Sequence, residues 1–128
     1  MPVSVVFINC RSVPFLDRIM SLDKLYETRT RDMLRSVVGR RVLLAETGTG
    51  KSPVCRCSAV IGPPVVVRSR DAWERLRSAC CIPPGSAYDW TSDTKVKYLY
   101  PLRNVTACRL FTPPKGVRHG RTYMDCNI

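Results

Sequence analysis

Residues 3–8, VSVVFI, form the first apolar run of the chain, and they predict a buried strand. In SVPFLDRIM, Ser12 is placed as an N-cap and Pro14 suits a first turn, so a short helix is expected to about residue 21. YETRT (26–30) predicts a short strand, and residues 31–38 a second short helix that Gly39 ends. RRVLLAE (40–46) and VCRCSAVIG (54–62) predict two further strands. A helix then begins at Ser69, with Asp71 in its first turn and Trp73, Leu76 and Cys80 as its apolar stripe, until Pro83, Pro84 and Gly85 break it. KVKYLYPL (95–102) and NVTACRLF (104–111) predict two strand segments interrupted at Pro101, because a proline cannot donate to a central ladder. RTYMDC (121–126) predicts a last strand. Strands broken by short helices imply an α+β fold, a small mixed β-barrel with flanking short helices rather than a parallel α/β sheet.

Composition narrows this picture. A chain of 128 residues predicts a single domain spanning 1–128. No stretch approaches the roughly 18 apolar residues of a membrane span, and no membrane partner is expected. MPVSVVFINC lacks the cationic start and small-residue cleavage site of a signal peptide, which predicts a cytoplasmic protein. The net charge is +11, and most of the 21 basic residues are arginines, side chains suited to bidentate phosphate contact and to stacking on bases. Nucleic acid or another polyanion is the partner this favours over a merely solubilising surface, although charge by itself defines steering rather than a site. Seven cysteines, C-x-C at Cys55/Cys57, an adjacent pair at Cys80/Cys81 and a single histidine, His119, fit neither a disulfide framework nor a zinc knuckle. Buried thiols are expected, with no metal and no cofactor. His119, in GVRHGR, reads as an exposed histidine of a basic loop.

LLAETGTGKSP (43–53) contains the GTGKS string of a phosphate-binding loop. That loop works only where a helix follows, whose amides and dipole hold the phosphates. Here Ser52 precedes Pro53 and then a strand pattern, and the first motif glycine falls on Ala45. The segment reads instead as a Gly-rich hairpin with Lys51 at its tip, and no nucleoside triphosphate is expected at residues 45–52.

SLDKLYETRT (21–30) brings a lysine, a carboxylate and a guanidinium within six positions: Lys24, Glu27 and Arg29. On a strand Glu27 and Arg29 share one face, so Lys24 joins them only from the bend before the strand. The plain alternative is a surface Glu27–Arg29 ion pair, worth about 0–1 kcal/mol. At these residues the sequence resembles the ASCH family of the PUA-like superfamily, whose hallmark is Gly-x-Lys-x-x-Glu-x-Arg after the first helix. Lys24, Glu27 and Arg29 match, and Leu22 replaces the opening glycine.

The resemblance implies a PUA-like barrel with a cleft lined by the motif. It implies binding of RNA or of a modified nucleobase or nucleoside, with hydrolysis of N4-acylated cytidine nucleosides or ribonuclease action as the enzymatic alternative. In the binding reading, Lys24, Tyr26, Glu27, Arg29, Tyr88, Trp90, Lys97 and Arg118 contact the ligand. Tyr98 and Tyr100 are further aromatic candidates more readily read as core. In the enzymatic reading Lys24 is base or nucleophile, Glu27 positions water and Arg29 holds the developing anion. A third reading, an adaptor for an acidic protein, leaves Lys24 and Glu27 without a role.

Overall fold

The computed structural model describes residues 3–117, 119, 122 and 123. Seven strands are present: β1 (Val3–Asn9), β2 (Tyr26–Arg29), β3 (Arg41–Thr47), β4 (Val54–Ile61), β5 (Val65–Val67), β6 (Lys97–Phe111) and β7 (Thr122–Tyr123). Two helices, α1 (Phe15–Met20) and α2 (Arg70–Leu76), and two 3-10 turns, at Arg35–Val37 and Arg77–Cys80, are the other elements of the described residues. The sheet order is β2-β6-β4-β3-β1-β7, with β5 also on β6. Among the described residues only β1 and β3 pair in parallel; the other ladders are antiparallel. The sheet curls into a half-barrel with the short helices against it, the α+β mixed architecture that the sequence predicts.

β1 is apolar but for Ser4 and its terminal Asn9, because both of its faces are covered. Val6 and Ile8 join α1, α2 and the inner sheet residues in the main core, while Val3 and Val5 pack with Leu43, Ala45 and Cys55 on the other face. β3 and β4 form the expected hairpin. Gly48 at its turn has φ +80°, and a Cβ there would meet Asn9 Oδ1 at 2.4 Å, so the turn depends on glycine. The chain leaves this loop into β4, and Lys51 is exposed.

Three expectations are corrected. Ser12 does not cap α1, which starts at Phe15 after Pro14 with no side-chain cap. Residues 31–38 form only the turn at Arg35–Val37, because Leu34 and Val37 are the anchors buried there and one turn seats both. Pro101 does not interrupt β6. Residues 97–101 pair with β2 and β5, and residues from 102 onward pair with β4, so the missing N–H falls where the strand changes partners. The Pro101 carbonyl still accepts from Gly62 N–H at 2.8 Å. RTYMDC contributes β7 at Thr122–Tyr123, and its remaining positions lie outside the described residues.

Leu22, where the ASCH hallmark has glycine, has φ 66°. That is the left-handed region, which costs an L-residue with a Cβ about 1–2 kcal/mol. The side chain is exposed and contributes little packing. Leu22→Gly is therefore expected to raise the unfolding free energy by about 0.5–1 kcal/mol, after allowing for the greater chain entropy of glycine. A urea titration showing equal or lower stability would contradict it.

Candidate functional site

Lys24 lies in the bend between α1 and β2, as convergence with Glu27 and Arg29 requires. The bend is fixed by backbone bonds: Asp23 and Lys24 N–H both donate to Arg18 O, and Leu25 N–H donates to Ala79 O. The Lys24 ammonium points inward, donates to Cys80 O at 2.6 Å and lies 4.6 Å from the Phe15 ring centroid. It approaches Glu27 Oε1 at 3.7 Å, while Glu27 Oε2 accepts from Arg29 Nη2 at 2.8 Å. The same Nη2 donates to Phe7 O at 3.1 Å. One carboxylate thus links two cations, and the chain of contacts runs from the Arg77–Cys80 turn through β2 to β1.

This is not a surface ion pair. The Glu27 side chain is 9% exposed, the Lys24 side chain 1% and the Arg29 side chain 20%. β1 and β2 are far apart in the order of strands, and Arg29 bridges them by a side chain where no ladder does.

Beside Arg29 opens a cleft of about 430 Å³, walled by Thr28, Arg29 and Thr30 on one side and by the loop of Tyr88 and Asp89 and the segment to Lys97 on the other. Of the three hallmark residues, Arg29 alone lines it; Lys24 and Glu27 stand behind and hold Arg29 in place. Tyr88 also lines it, its ring edge-on to Phe15 with centroids 5.4 Å apart.

The remaining sequence candidates divide. Lys97 lines the cleft, but it is buried; its ammonium donates to Tyr88 O and lies 4.6 Å from the Trp73 ring centroid. Burial pulls its pKa down, opposed by Asp89. It shapes the loop instead of reaching out to phosphates. Tyr26, Trp90 and Tyr98 pack against the main core. Tyr100 is fully buried, its hydroxyl donating to Asp32 and accepting from Leu34 N–H, and burial followed by Asp32 pushes its pKa up to about 12. Arg118 lies outside the described residues.

Asp89 escaped the sequence reading. Its carboxylate accepts from Gly85 N–H, the Trp73 indole N–H and Trp90 N–H, each at 2.7 Å, and so organises the cleft loop. Those bonds, that of Gly85 foremost, hold its pKa down at about 2. An aspartate just after a Gly-Ser turn is the local signal that would have marked it.

His119 is not the exposed loop residue that the sequence predicts: it is half-buried, and its Nδ1 accepts from Phe7 N–H at 3.0 Å. The thiols of Cys57 and Cys80 are buried, and desolvation pushes them up to about 11 and about 12, so neither is an activated nucleophile. Among the described residues no three His, Cys, Asp or Glu side chains gather to hold a metal ion. No described helix is long and apolar enough to cross a membrane.

No protein-family model and no curated protein matches the sequence. The fold is another matter. It is similar to the crystal structure of ASCH from Zymomonas mobilis, with a TM-score of 0.67 and 20% identity over 91% of this chain and 86% of that one. Two crystal structures of mutants of the same Zymomonas mobilis protein give the same TM-score and identity, over 84% and 88% of this chain and 73% and 77% of theirs. With a curled mixed sheet, two short helices and the lysine, glutamate and arginine converging at its first strand junction, the chain has the fold of the ASCH domain.

Proposed function

We propose that the chain binds RNA, taking one unstacked base or a modified nucleoside into the cleft beside Arg29. The observation that carries this reading is the cleft itself: about 430 Å³, lined both by the guanidinium of Arg29 and by Tyr88, an aromatic residue half-buried against Phe15. Such a space suits a single nucleobase held by stacking and by a charged donor. The net charge of +11 supports a strand's phosphates running along the outside.

Hydrolysis of an acylated cytidine or of RNA is the second reading, and the geometry weighs against it. Lys24 is enclosed, bonded to Cys80 O and in contact with Glu27, and it does not line the cleft. A base or nucleophile must reach the reacting atom at about 2.6–3.2 Å or through one water.

Fluorescence anisotropy with a labelled single-stranded RNA tests the binding reading. Affinity is expected to fall steeply with salt. Tyr88→Ala is expected to weaken binding about 5- to 150-fold, the loss of one stacking platform at about 1–3 kcal/mol. An unchanged affinity in Tyr88→Ala would remove the cleft from the reading. Turnover of a nucleoside panel that includes N4-acetylcytidine, followed by mass spectrometry, would establish the enzymatic alternative instead.

A further inference from the structure

β7 pairs with β1 through Val3↔Tyr123 and Ser4↔Thr122, antiparallel. Further along the same edge of β1 lies Phe7. There the backbone amide of Phe7 is taken by a side chain, the Nδ1 of His119 at 3.0 Å. The carbonyl of the same residue accepts from Arg29 Nη2 at 3.1 Å. The outer edge of β1 at Phe7 is thus shared between a histidine and the arginine that walls the cleft.

We propose that His119 is a positioning residue for Arg29: its neutral imidazole clasps the edge of β1 at Phe7, and protonating or removing it loosens the Phe7 bond that, together with Glu27, holds Arg29 beside the cleft. That Arg29 serves a ligand rests on the function proposed above; its coupling to His119 does not.

The chemistry of the clasp is one-way. Nδ1 accepts a hydrogen bond only through its lone pair, so the neutral ring carries its proton on Nε2. A second proton must go to Nδ1, where it would face the Phe7 N–H, donor against donor. Protonation and the clasp exclude each other. Among the described residues two charged groups act on the ring, both from β2: Arg29, which opposes a second cation, and Glu27, which favours one. β1 offers it the Phe7 peptide and ring, with ring centroids 6.3 Å apart. Burial, reinforced by Arg29, holds the His119 pKa below its ordinary 6.5. Arg29 is sensitive to the change because Nη2 makes both its bond to Glu27 and its bond to Phe7, while its buried Nε finds no protein partner among the described residues.

His119 is the only histidine of the chain, so its titration is readable by NMR without assignment by mutation. In the unsubstituted protein the His119 ring, the Phe7 amide and the Arg29 Nε–H are expected to shift with one common midpoint below pH 6.5. Protection of the Phe7 amide against hydrogen exchange is expected to fall at least tenfold across it, beyond the intrinsic effect of pH. In His119→Gln the Phe7 and Arg29 shifts should lose that midpoint while amides elsewhere keep their positions. A Phe7 amide and an Arg29 Nε–H that ignore the His119 titration would overturn the proposal, as would a midpoint at or above 6.5. Affinity for the labelled RNA should follow the same midpoint in the parent and lose it in His119→Gln. If RNA binds at no pH, the functional reading fails and the NMR titration still decides the clasp.

Discussion

Glu27→Ala is expected to destabilise the fold by about 3–5 kcal/mol, because removing one partner of a buried ion pair leaves the rest as uncompensated charge. Two cations depend on this carboxylate, Lys24 at 3.7 Å and Arg29 at 2.8 Å, and its side chain is 9% exposed. Total stabilities of natural domains are only about 5–15 kcal/mol, so the loss takes a large share of the whole. Glu27→Gln keeps the shape and one acceptor, and is expected to lose less, about 1.5–3 kcal/mol, the range for a hydrogen bond to a charged group. Lys24→Met removes the cation but fills its space against Phe15, leaving Cys80 O without its donor and Glu27 without one of its two cations. It should fall between the two. Urea titrations of the three variants check the order; a Glu27→Ala loss below 1 kcal/mol would show that water enters and screens the pair. The result bears on function directly. A lost activity in Lys24→Ala or Glu27→Ala identifies a catalytic group only after folding has been measured, since these side chains hold Arg29 and the β1–β2 gap together.

What could be read from the sequence was whatever is decided locally. The apolar run at 3–8 reports burial on both faces of β1, and the β3–β4 hairpin is written in its glycines and in Pro53. Lys24 had to precede its strand, since alternation alone would have sent it to the wrong face. The errors arise where a distant partner decides. Pro101 reads as a break until β6 is seen to change neighbours there. Lys97 reads as a surface cation until its ammonium is found against Trp73 and Tyr88 O. Tyr26 and Trp90 read as stacking platforms and Tyr98 and Tyr100 more readily as core, and of the aromatic candidates only Tyr88 lines the cleft. His119 bonds a residue 112 positions away, and no pattern within GVRHGR carries that information.

Trp73→Ala is expected to cost about 3–5 kcal/mol, as for other large buried aromatics, and to disorganise the cleft loop as well. Trp73 is fully buried on α2, its indole N–H donates to Asp89 at 2.7 Å, and Lys97 lies 4.6 Å from its ring centroid. Lys97 in turn bonds Tyr88 O, so one ring supports both walls of the loop that carries Tyr88 and Asp89. Trp73→Phe separates packing from hydrogen bonding. It retains much of the ring volume and the cation contact but removes a donor from Asp89, at about 1–2 kcal/mol. It also has a signature in acid. Asp89 titrates at about 2 in the folded chain against 3.8 ordinarily, so its contribution is complete above the ordinary value and is lost as pH falls through about 2. With the indole N–H gone, the folded pKa of Asp89 rises toward the ordinary value, and the acid loss shrinks and shifts to higher pH. Denaturation curves between pH 5 and about 2 would show the stability difference between parent and Trp73→Phe narrowing as the pH falls. A difference that stays constant with pH would mean that the indole–carboxylate bond is replaced by water in the parent, and that the loop owes its shape to Gly85 and Trp90 N–H alone.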